Sequence, residues 1–251
     1  LHGNGSMIQD FELSGLLDLA SKQYRVIAFD RPGYGYSGRP RSTIWNPLAQ
    51  AELLHKALQQ LGAESPIIVG HSWGTLVALA IALEYPVHSL VLLSGYYFPT
   101  FRIDVPLLSP PAIPIVGDVM RYTISPLIGR LLWPGLLRIL FGPAPVPPLF
   151  AAKFAAWMVL RPSQLRAAAA ESALLIPYAI ALGRRYHELT LPVVIMAGAK
   201  DRYADPHRHS VRLHRALPQS ELKLISGAGH MIHHTAPRQV MAAIEAVAQP
   251  A

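Results

Sequence analysis

The stretch Pro66-Ile67-Ile68-Val69-Gly70-His71-Ser72-Trp73-Gly74 decides the fold. Its apolar first half predicts a buried strand, and the apolar residues from Thr75 to Leu83 predict a helix directly after it. The turn between them has the pattern G-x-S-x-G, whose glycines let the backbone pass where a Cβ would clash. Such a turn lifts Ser72 above the end of the strand and beside a helix N-terminus, which helps to stabilise developing negative charge. The stretch therefore predicts a serine nucleophile.

Further apolar runs alternate with helical patterns along the rest of the chain. The alternation predicts an α/β fold with a mostly parallel sheet and helices on both faces. The predicted strands outside the opening stretch are Tyr24–Phe29, Ser89–Leu93, Pro192–Ala197 and Glu221–Ile225. The predicted helices are Asp10–Ser21, Leu48–Leu61, His207–Ala216 and Arg238–Val247.

Residues 96–189 interrupt this alternation. They hold 13 of the chain's 23 prolines, and their helical patterns are apolar and broken. We expect them to form an inserted helical cap on a core built from residues 1–95 and 190–251. One end of the insertion comes just after a strand and the other just before the next strand. We therefore expect both ends at the edge of the sheet where ligands bind in such folds. The helical pieces are predicted at Val119–Ile128, Phe150–Leu160, Ser163–Leu175 and Tyr178–Tyr186.

Composition excludes several classes of protein. The 251 residues are 51% hydrophobic and 15% charged, which is typical of a globular chain. The absence of cysteine excludes disulfides, thiol nucleophiles and thiolate metal sites. The net charge is +7, but the basic residues are scattered, so no nucleic-acid partner is predicted. A bacterial cytoplasm is the expected compartment, although a chain without cysteine fits a periplasm equally.

A serine nucleophile needs a base, and the base needs an acid that orients it. His230 lies in the loop Ser226–His230, directly after the last predicted strand. Asp201 follows the preceding strand, at an exit beside the one that carries Ser72. Asp205 is the alternative acid, but it precedes Pro206 and has the position of a helix N-cap. The predicted order of catalytic residues is Ser72, Asp201 and His230.

The other histidines leave alternatives. His233 and His234 could bind a metal together with His230 and a carboxylate, but the sequence offers no convincing acidic partner. We therefore predict neither a metal site nor a cofactor. His71, inside the turn, is expected to be structural. The predicted helix His207–Ala216 is polar, and its three histidines are expected at the solvated surface: His207, His209 and His214.

Five short motifs resemble those of the α/β-hydrolase fold superfamily. They are HGNG at 2–5, DRPGYGYSG at 30–38, GHSWG at 70–74, AGAKD at 197–201 and GAGH at 227–230. The resemblance implies that the backbone N–H groups of Asn4 and Trp73 form an oxyanion hole. It also implies that Leu1 is the last residue of a strand in the middle of the sheet, so we expect further strands upstream of Leu1.

The resemblance implies a serine hydrolase that cleaves a carboxylic ester through an acyl-enzyme. Ser72 argues against dehalogenases and epoxide hydrolases, which use an aspartate nucleophile. A C–C bond hydrolase, an acyltransferase and a non-catalytic binding protein of the same fold remain alternatives.

The predicted cap suggests the kind of substrate. Its composition favours a small-to-medium apolar ester, and its nine Lys/Arg against four Asp/Glu suggest an anionic substrate or a lipid surface. A solvated face is the more common role of such charges. The oligomeric state is left open. The apolar candidates in the cap are Phe101, Leu107, Leu108, Trp133, Leu136, Leu137, Phe141, Phe150, Phe154, Trp157 and Met158.

Overall fold

Four parallel strands form a single sheet in the computed structural model, which describes residues 1–248. The strands are β1 (Ile67–His71), β2 (Ser89–Leu93), β3 (Val193–Gly198) and β4 (Ser220–Ile225), and they lie side by side in that order. All three pairs are parallel, so the four carboxyl ends lie at one edge. The α/β class and the parallel sheet predicted from the sequence are confirmed.

Helices cover both faces of this sheet. Every residue of β2 is buried, and successive side chains enter opposite layers: Leu90 and Leu92 belong to one apolar cluster, Val91 and Leu93 to the other. Burial on both faces explains why the central strands are continuous apolar runs without alternation. The core helices are α1 (Ile8–Leu13), α2 (Leu16–Ala20), α3 (Pro47–Gln60), α4 (Gly74–Glu84), and, after the insertion, α11 (Arg212–Ala216), α12 (Ile232–Thr235) and α13 (Pro237–Ala248).

Residues 96–189, which we call the insert, are helical. The insert helices are α5 (Asp104–Leu108), α6 (Val116–Tyr122), α7 (Ile124–Phe141), α8 (Pro148–Lys153), α9 (Ala156–Val159) and α10 (Pro162–Gly183). The two longest each contain an internal proline, Pro134 in α7 and Pro177 in α10. The piece predicted at 119–128 covers only the start of α7, and the two pieces predicted within α10 are separated around Pro177. A proline inside a helix costs about 3 kcal/mol. In α10 this cost is opposed by burial of Leu175, Ala179 and Leu182 in the main core.

Two other predicted elements differ from the structure. The helix predicted at 10–21 is broken into α1 and α2 at Gly15, which has a φ of 74° that favours glycine. The strand predicted at 24–29 is wrong, because these residues have no regular structure. A cleft of about 350 Å³ separates them from β1, so within residues 1–248 their backbone has no neighbouring strand to pair with.

Leu1 is hydrogen-bonded beside β1. Its amino group donates to the Val69 carbonyl at 2.6 Å, and its carbonyl accepts from the His71 N–H at 2.9 Å. This is the pattern of a residue paired in parallel with Gly70. The contact places the loop that follows Leu1 against the G-x-S-x-G turn. The strands expected upstream of Leu1 stay a prediction.

Candidate active site

Ser72 lies at a sharp turn between β1 and α4. Its φ is 53°, in the left-handed region that side chains rarely adopt, and its N–H donates to the Leu93 carbonyl at 2.9 Å. The two glycines of the motif are required sterically. A Cβ on Gly70 would lie 2.8 Å from the Gly74 carbonyl oxygen, and a Cβ on Gly74 would lie 2.4 Å from that of Leu1. The turn therefore holds Ser72 in a strained backbone conformation, and a side chain at position 70 or 74 would not fit.

His230 bridges the serine and an aspartate. Its Nε2 lies 2.9 Å from Ser72 Oγ, and its Nδ1 lies 2.8 Å from Asp201 Oδ2. All three side chains are buried, with Ser72 the most exposed at 9%. The loop after β4 that carries His230 is fixed by the insert, because the His230 N–H donates to the Leu140 carbonyl of α7 at 2.9 Å. Three residues predicted from separate motifs thus meet in one hydrogen-bonded chain.

The second oxygen of Asp201 is also occupied. Oδ1 accepts hydrogen bonds from the backbone N–H groups of Tyr203 and Ala204, at 2.8 and 2.9 Å. These bonds fix the carboxylate with Oδ2 toward His230. Asp205, the alternative acid, instead accepts from the Arg208 N–H at 2.9 Å and caps the following helical turn.

The loop at residues 2–5 lies directly against the serine. A Cβ on Gly3 would be 3.0 Å from the Ser72 Cβ, so glycine favours this close approach. Within residues 1–248, neither the Asn4 nor the Trp73 backbone N–H has a hydrogen-bond acceptor. Both side chains are anchored to α10: Asn4 Nδ2 donates to the Ala168 carbonyl at 3.1 Å, and Trp73 Nε1 donates to the Glu171 carbonyl at 3.1 Å. The two N–H groups that the resemblance implied as oxyanion donors are therefore free to bind an acceptor.

A buried ion pair holds this loop, and it was missed by the sequence analysis. The Arg31 guanidinium donates to the carbonyls of His2 and Gly3, both at 2.9 Å, and pairs with both carboxylate oxygens of Glu171 in α10. Both side chains of the pair are fully buried. Burial lowers the pKa of Arg31, but the charge of Glu171 outweighs this effect and raises it overall. Arg31 lies in the DRPGYGYSG motif, but Glu171 is 140 residues away and no local pattern marks it.

A second buried carboxylate lies behind His230. Asp10 in α1 is 2.7 Å from His234 Nε2 and 3.1 Å from His233 Nε2, and it accepts from Ser6 Oγ at 2.9 Å. Burial raises the pKa of Asp10, but electrostatic interaction and hydrogen bonds with His233 and His234 outweigh it and hold that pKa well below its usual range. The prediction that these histidines have no convincing acidic partner is therefore wrong, because Asp10 contacts both.

The contacts of Asp10 bear on the alternative of a metal site. Ligand-type atoms of Asp10, His71 and His233 lie within 4.8 Å of one another, whereas His230 is engaged with Ser72 and Asp201. Since both carboxylate oxygens of Asp10 already have partners, the arrangement supports an anchor for the loop that follows His230. The absence of a metal stays a prediction. His71 has its expected structural position, packed between His230 and His233 with ring centroids 4.9 and 4.3 Å away.

The three histidines predicted at the surface have different environments. His207 is exposed, as expected. His209 is buried, which corrects the prediction, and its Nδ1 accepts from the backbone N–H of Tyr97 at 3.3 Å. His214 is half-buried and lies 2.8 Å from Ser220 Oγ. His209 lies three residues after the buried Pro206 and four before the buried Leu213, so helical spacing places it on the inner face of this segment.

A cavity of about 120 Å³ opens above Ser72 and His230. Its polar side is the 3–6 loop, and its apolar side belongs to the insert. Phe150 and Phe154 stack at 4.5 Å, and Trp133 stacks on Phe154 at 5.8 Å. The apolar residues of the insert that the sequence suggested for substrate contact therefore fall into three groups. Trp133, Leu136, Leu137, Phe150 and Phe154 line the cavity, Phe141 and Met158 are buried elsewhere, and Phe101, Leu107, Leu108 and Trp157 are exposed.

Comparison with known proteins gives the family. The sequence model of the α/β hydrolase fold family matches residues 1–237 of this chain. The chain belongs to the α/β-hydrolase fold family. Membership makes the chain an α/β-fold hydrolase and confirms the resemblance found in the sequence motifs.

Individual relatives add detail. The uncharacterised protein Rv2715 of Mycobacterium tuberculosis is 30% identical over 265 residues, covering 98% of this chain and 73% of that protein. The probable lysophospholipase BODYGUARD 2 of Arabidopsis thaliana is 32% identical over 112 residues, 43% of this chain and 23% of that protein. The esterase EaEST of Exiguobacterium antarcticum has the same fold, with a TM-score of 0.71 at 23% identity over 99% of this chain and 90% of that one.

Proposed function

We propose that this α/β-fold hydrolase cleaves apolar carboxylic esters with Ser72, His230 and Asp201 as its catalytic residues. The observation that carries the proposal is His230, which bridges Ser72 Oγ at 2.9 Å and Asp201 Oδ2 at 2.8 Å. A serine becomes a useful nucleophile only when a base lies within hydrogen-bond reach and is itself oriented.

The geometry supports a defined sequence of proton transfers. With its proton on Nδ1, His230 donates to Asp201 and leaves Nε2 to accept the proton of Ser72 as Oγ attacks the ester carbonyl carbon. His230 then returns that proton to the departing alcohol oxygen, which leaves an acyl group on Ser72. Water attacks this acyl-enzyme, His230 takes one of its protons, and the acid is released as Ser72 regains its proton.

The backbone N–H groups of Asn4 and Trp73 are the proposed oxyanion donors. Both are free of intramolecular acceptors within residues 1–248 and flank Ser72, one in the preceding loop and one in the next residue. Each such donor stabilises the transition state by about 3 kcal/mol. Their anchorage to α10 supports a preorganised hole, which needs no reorganisation as charge develops.

The insert is proposed to act as the cap that selects the substrate. A cavity of about 120 Å³ with an aromatic wall suits a short acyl chain. Larger substrates would have to extend out past α7. Contact of the insert with a lipid surface is the second part of the proposal, because large apolar side chains are exposed on it together with Arg130 and Arg138.

Hydrolysis of p-nitrophenyl esters of increasing acyl length tests the proposal. We expect turnover to be highest for short acyl chains, and Ser72→Ala to lower kcat by roughly 10⁴-fold or more. Ser94→Ala is the matched control, since Ser94 is also a buried serine with a positive φ of 48° at the end of a strand. Equal rates for the two variants would contradict the role of Ser72.

A serine-reactive fluorophosphonate distinguishes the alternatives. It should label the native chain and not Ser72→Ala, whereas a non-catalytic binding protein of this fold would not be labelled. Product analysis in the presence of an alcohol or thiol acceptor would reveal an acyltransferase, because the acyl group would then appear on the acceptor in place of the free acid.

A further inference from the structure

The helix α7 is strongly apolar and yet exposed. Its mean hydropathy is 1.4, and only 11% of it is buried. A helix this apolar is normally covered by protein or lipid. Leu127 and Leu131 are 66% and 80% exposed, so solvent contacts aliphatic side chains that neither the core nor the catalytic cavity uses.

The exposed apolar surface is concentrated in the insert. Among residues 1–248, 19 of the 26 exposed large apolar side chains lie between 101 and 180, and 16 of those 19 are aliphatic. Protein interfaces are enriched in aromatic side chains, whereas leucine and isoleucine transfer most favourably into lipid. The composition therefore favours a lipid phase over a protein partner.

The charges of α7 indicate what kind of lipid. Its only charged residues are Arg130 and Arg138, both exposed, and neither has a carboxylate within ion-pair distance in residues 1–248. The acidic residues of the insert are already paired with arginines: Asp104, Asp118, Glu171 and Glu188. An apolar face with unpaired arginines complements an anionic membrane surface, where each arginine favours binding by electrostatic attraction. A second copy of the same face would bring like charges together.

Two helices, α7 and α10, are long and apolar enough to cross a membrane by length and composition. α10 is held in the protein by the buried Arg31–Glu171 pair. α7 is tied to the catalytic loop, because the Leu140 carbonyl accepts the N–H of His230. Its inner side lines the catalytic cavity with Trp133, Leu136 and Leu137. A helix fixed in this way can lie on a membrane but cannot leave the domain to span it.

We propose that α7 docks on an anionic lipid surface and that the catalytic cavity takes amphiphilic esters from that surface. The outer side of α7 contacts acyl chains through Leu127 and Leu131, and Arg130 and Arg138 bind headgroup phosphates. The inner side of the same helix receives the acyl chain beside Ser72. The identity of the substrate rests on the proposed ester hydrolysis, whereas the docking does not.

Co-sedimentation with vesicles tests docking without hydrolysis. The protein used is Ser72→Ala, with vesicles of phosphatidylcholine alone or mixed with phosphatidylglycerol. We expect binding to the mixed vesicles that weakens as salt is added. Leu127→Glu with Leu131→Glu should weaken it at least tenfold. Arg130→Gln with Arg138→Gln should weaken it by roughly thirtyfold on the mixed vesicles and much less on phosphatidylcholine. Leu53→Glu, at an exposed leucine of α3, is the control and should bind normally.

Activity measurements separate this proposal from the proposed function. With Ser72 intact, Leu127→Glu with Leu131→Glu should keep its turnover of a dissolved p-nitrophenyl ester and lose it, by at least tenfold, for an ester held in mixed vesicles. Absence of vesicle binding, or equal binding by this variant and the control, would overturn the docking. Sedimentation equilibrium tests self-association. If the native chain self-associates and Leu127→Glu with Leu131→Glu abolishes this, the exposed face of α7 binds a second copy, and the lipid docking is overturned. Vesicle binding without any ester turnover would refute the proposed function alone.

Discussion

The carboxylates of Asp201 and Asp205 both accept backbone hydrogen bonds after β3, but only that of Asp201 is hydrogen-bonded to a histidine side chain. At the residue scale this difference assigns their roles. Asp201 has one oxygen for two N–H groups and the other for His230, so its orientation is fixed before any substrate arrives. Asp205 is exposed and uses its carboxylate as a cap.

Asp201→Asn tests this assignment. The amide can donate to Nδ1 and so hold the imidazole in the wrong tautomer for a base. We expect kcat to fall by roughly 10³- to 10⁴-fold. The measurement is kcat on a p-nitrophenyl ester, with circular dichroism to check the fold. Asp205→Asn is the matched control and should keep kcat, since asparagine also caps helices well. A similar loss in both variants would reject Asp201 as the orienting residue.

At this scale, site residues within local motifs could be predicted from the sequence, whereas partners distant in the sequence could not. Ser72, Asp201 and His230 could each be predicted because each follows an apolar strand within a short recognisable loop. The partner of His234 could not, because Asp10 lies 224 residues earlier and has no motif of its own. His209 was placed at the surface because its sequence neighbours are polar, although it is four residues before Leu213 and so shares the buried face of the helix.

At the scale of elements, α10 connects the insert to the oxyanion loop. Glu171 pairs with Arg31, and Arg31 in turn holds the carbonyls of residues 2 and 3. Tyr34 adds to this junction, with its hydroxyl 2.7 Å from Glu171 Oε2 and 2.8 Å from Asn4 Oδ1. Stability and the position of the Asn4 N–H therefore depend on the same buried pair.

Glu171→Gln should destabilise the protein strongly. The change leaves the Arg31 charge buried without compensation, which typically costs 3–5 kcal/mol of unfolding free energy, and urea denaturation would measure it. Glu188→Gln breaks an exposed pair with Arg185 and should cause no measurable change.

A double variant separates charge from position. Arg31→Met with Glu171→Leu removes both charges, so we expect it to regain much of the lost stability. It should still show a lower kcat, because the carbonyls of residues 2 and 3 lose their donors. A fully active double variant would show that the pair does not position the oxyanion loop.

Strands were predicted better than helices for physical reasons. β2 is a short apolar run between turn residues, and it was predicted at its observed bounds. Only the start of α7 was predicted as helix, and α10 was predicted in two pieces, because proline opposes helix locally. Packing against the core, visible only in three dimensions, determines the outcome for α10. Residues 24–29 have strand composition, but a strand also needs a neighbour to bond with.

At the scale of the whole molecule, buried histidines surround the carboxyl edge of the sheet. Burial lowers the pKa of His2, His71 and His233, and it lowers that of His209 to about 4. All four are therefore neutral in the folded protein near pH 7. An unfolded chain would protonate them at their ordinary value near 6.5. Folding and proton binding thus oppose each other in mildly acidic solution.

The protein should lose stability as the pH falls from about 6.5 toward 4. Within this window the unfolded state binds more protons than the folded state, so the free energy of unfolding decreases with decreasing pH. The shift of His209 alone corresponds to about 3 kcal/mol, at 1.36 kcal/mol for each pKa unit. Urea denaturation at a series of pH values from 8 to 4 would measure the loss.

The variant His209→Gln isolates one part of this dependence. Glutamine can still accept the Tyr97 N–H through its side-chain oxygen but cannot be protonated in this range. The variant should be less stable than the native chain at pH 8, where the fit of the imidazole matters, and should lose less stability on acidification. Equal losses in the two proteins would mean that His209 is not protonated on unfolding, and a flat profile in the native chain would contradict the neutral buried histidines altogether.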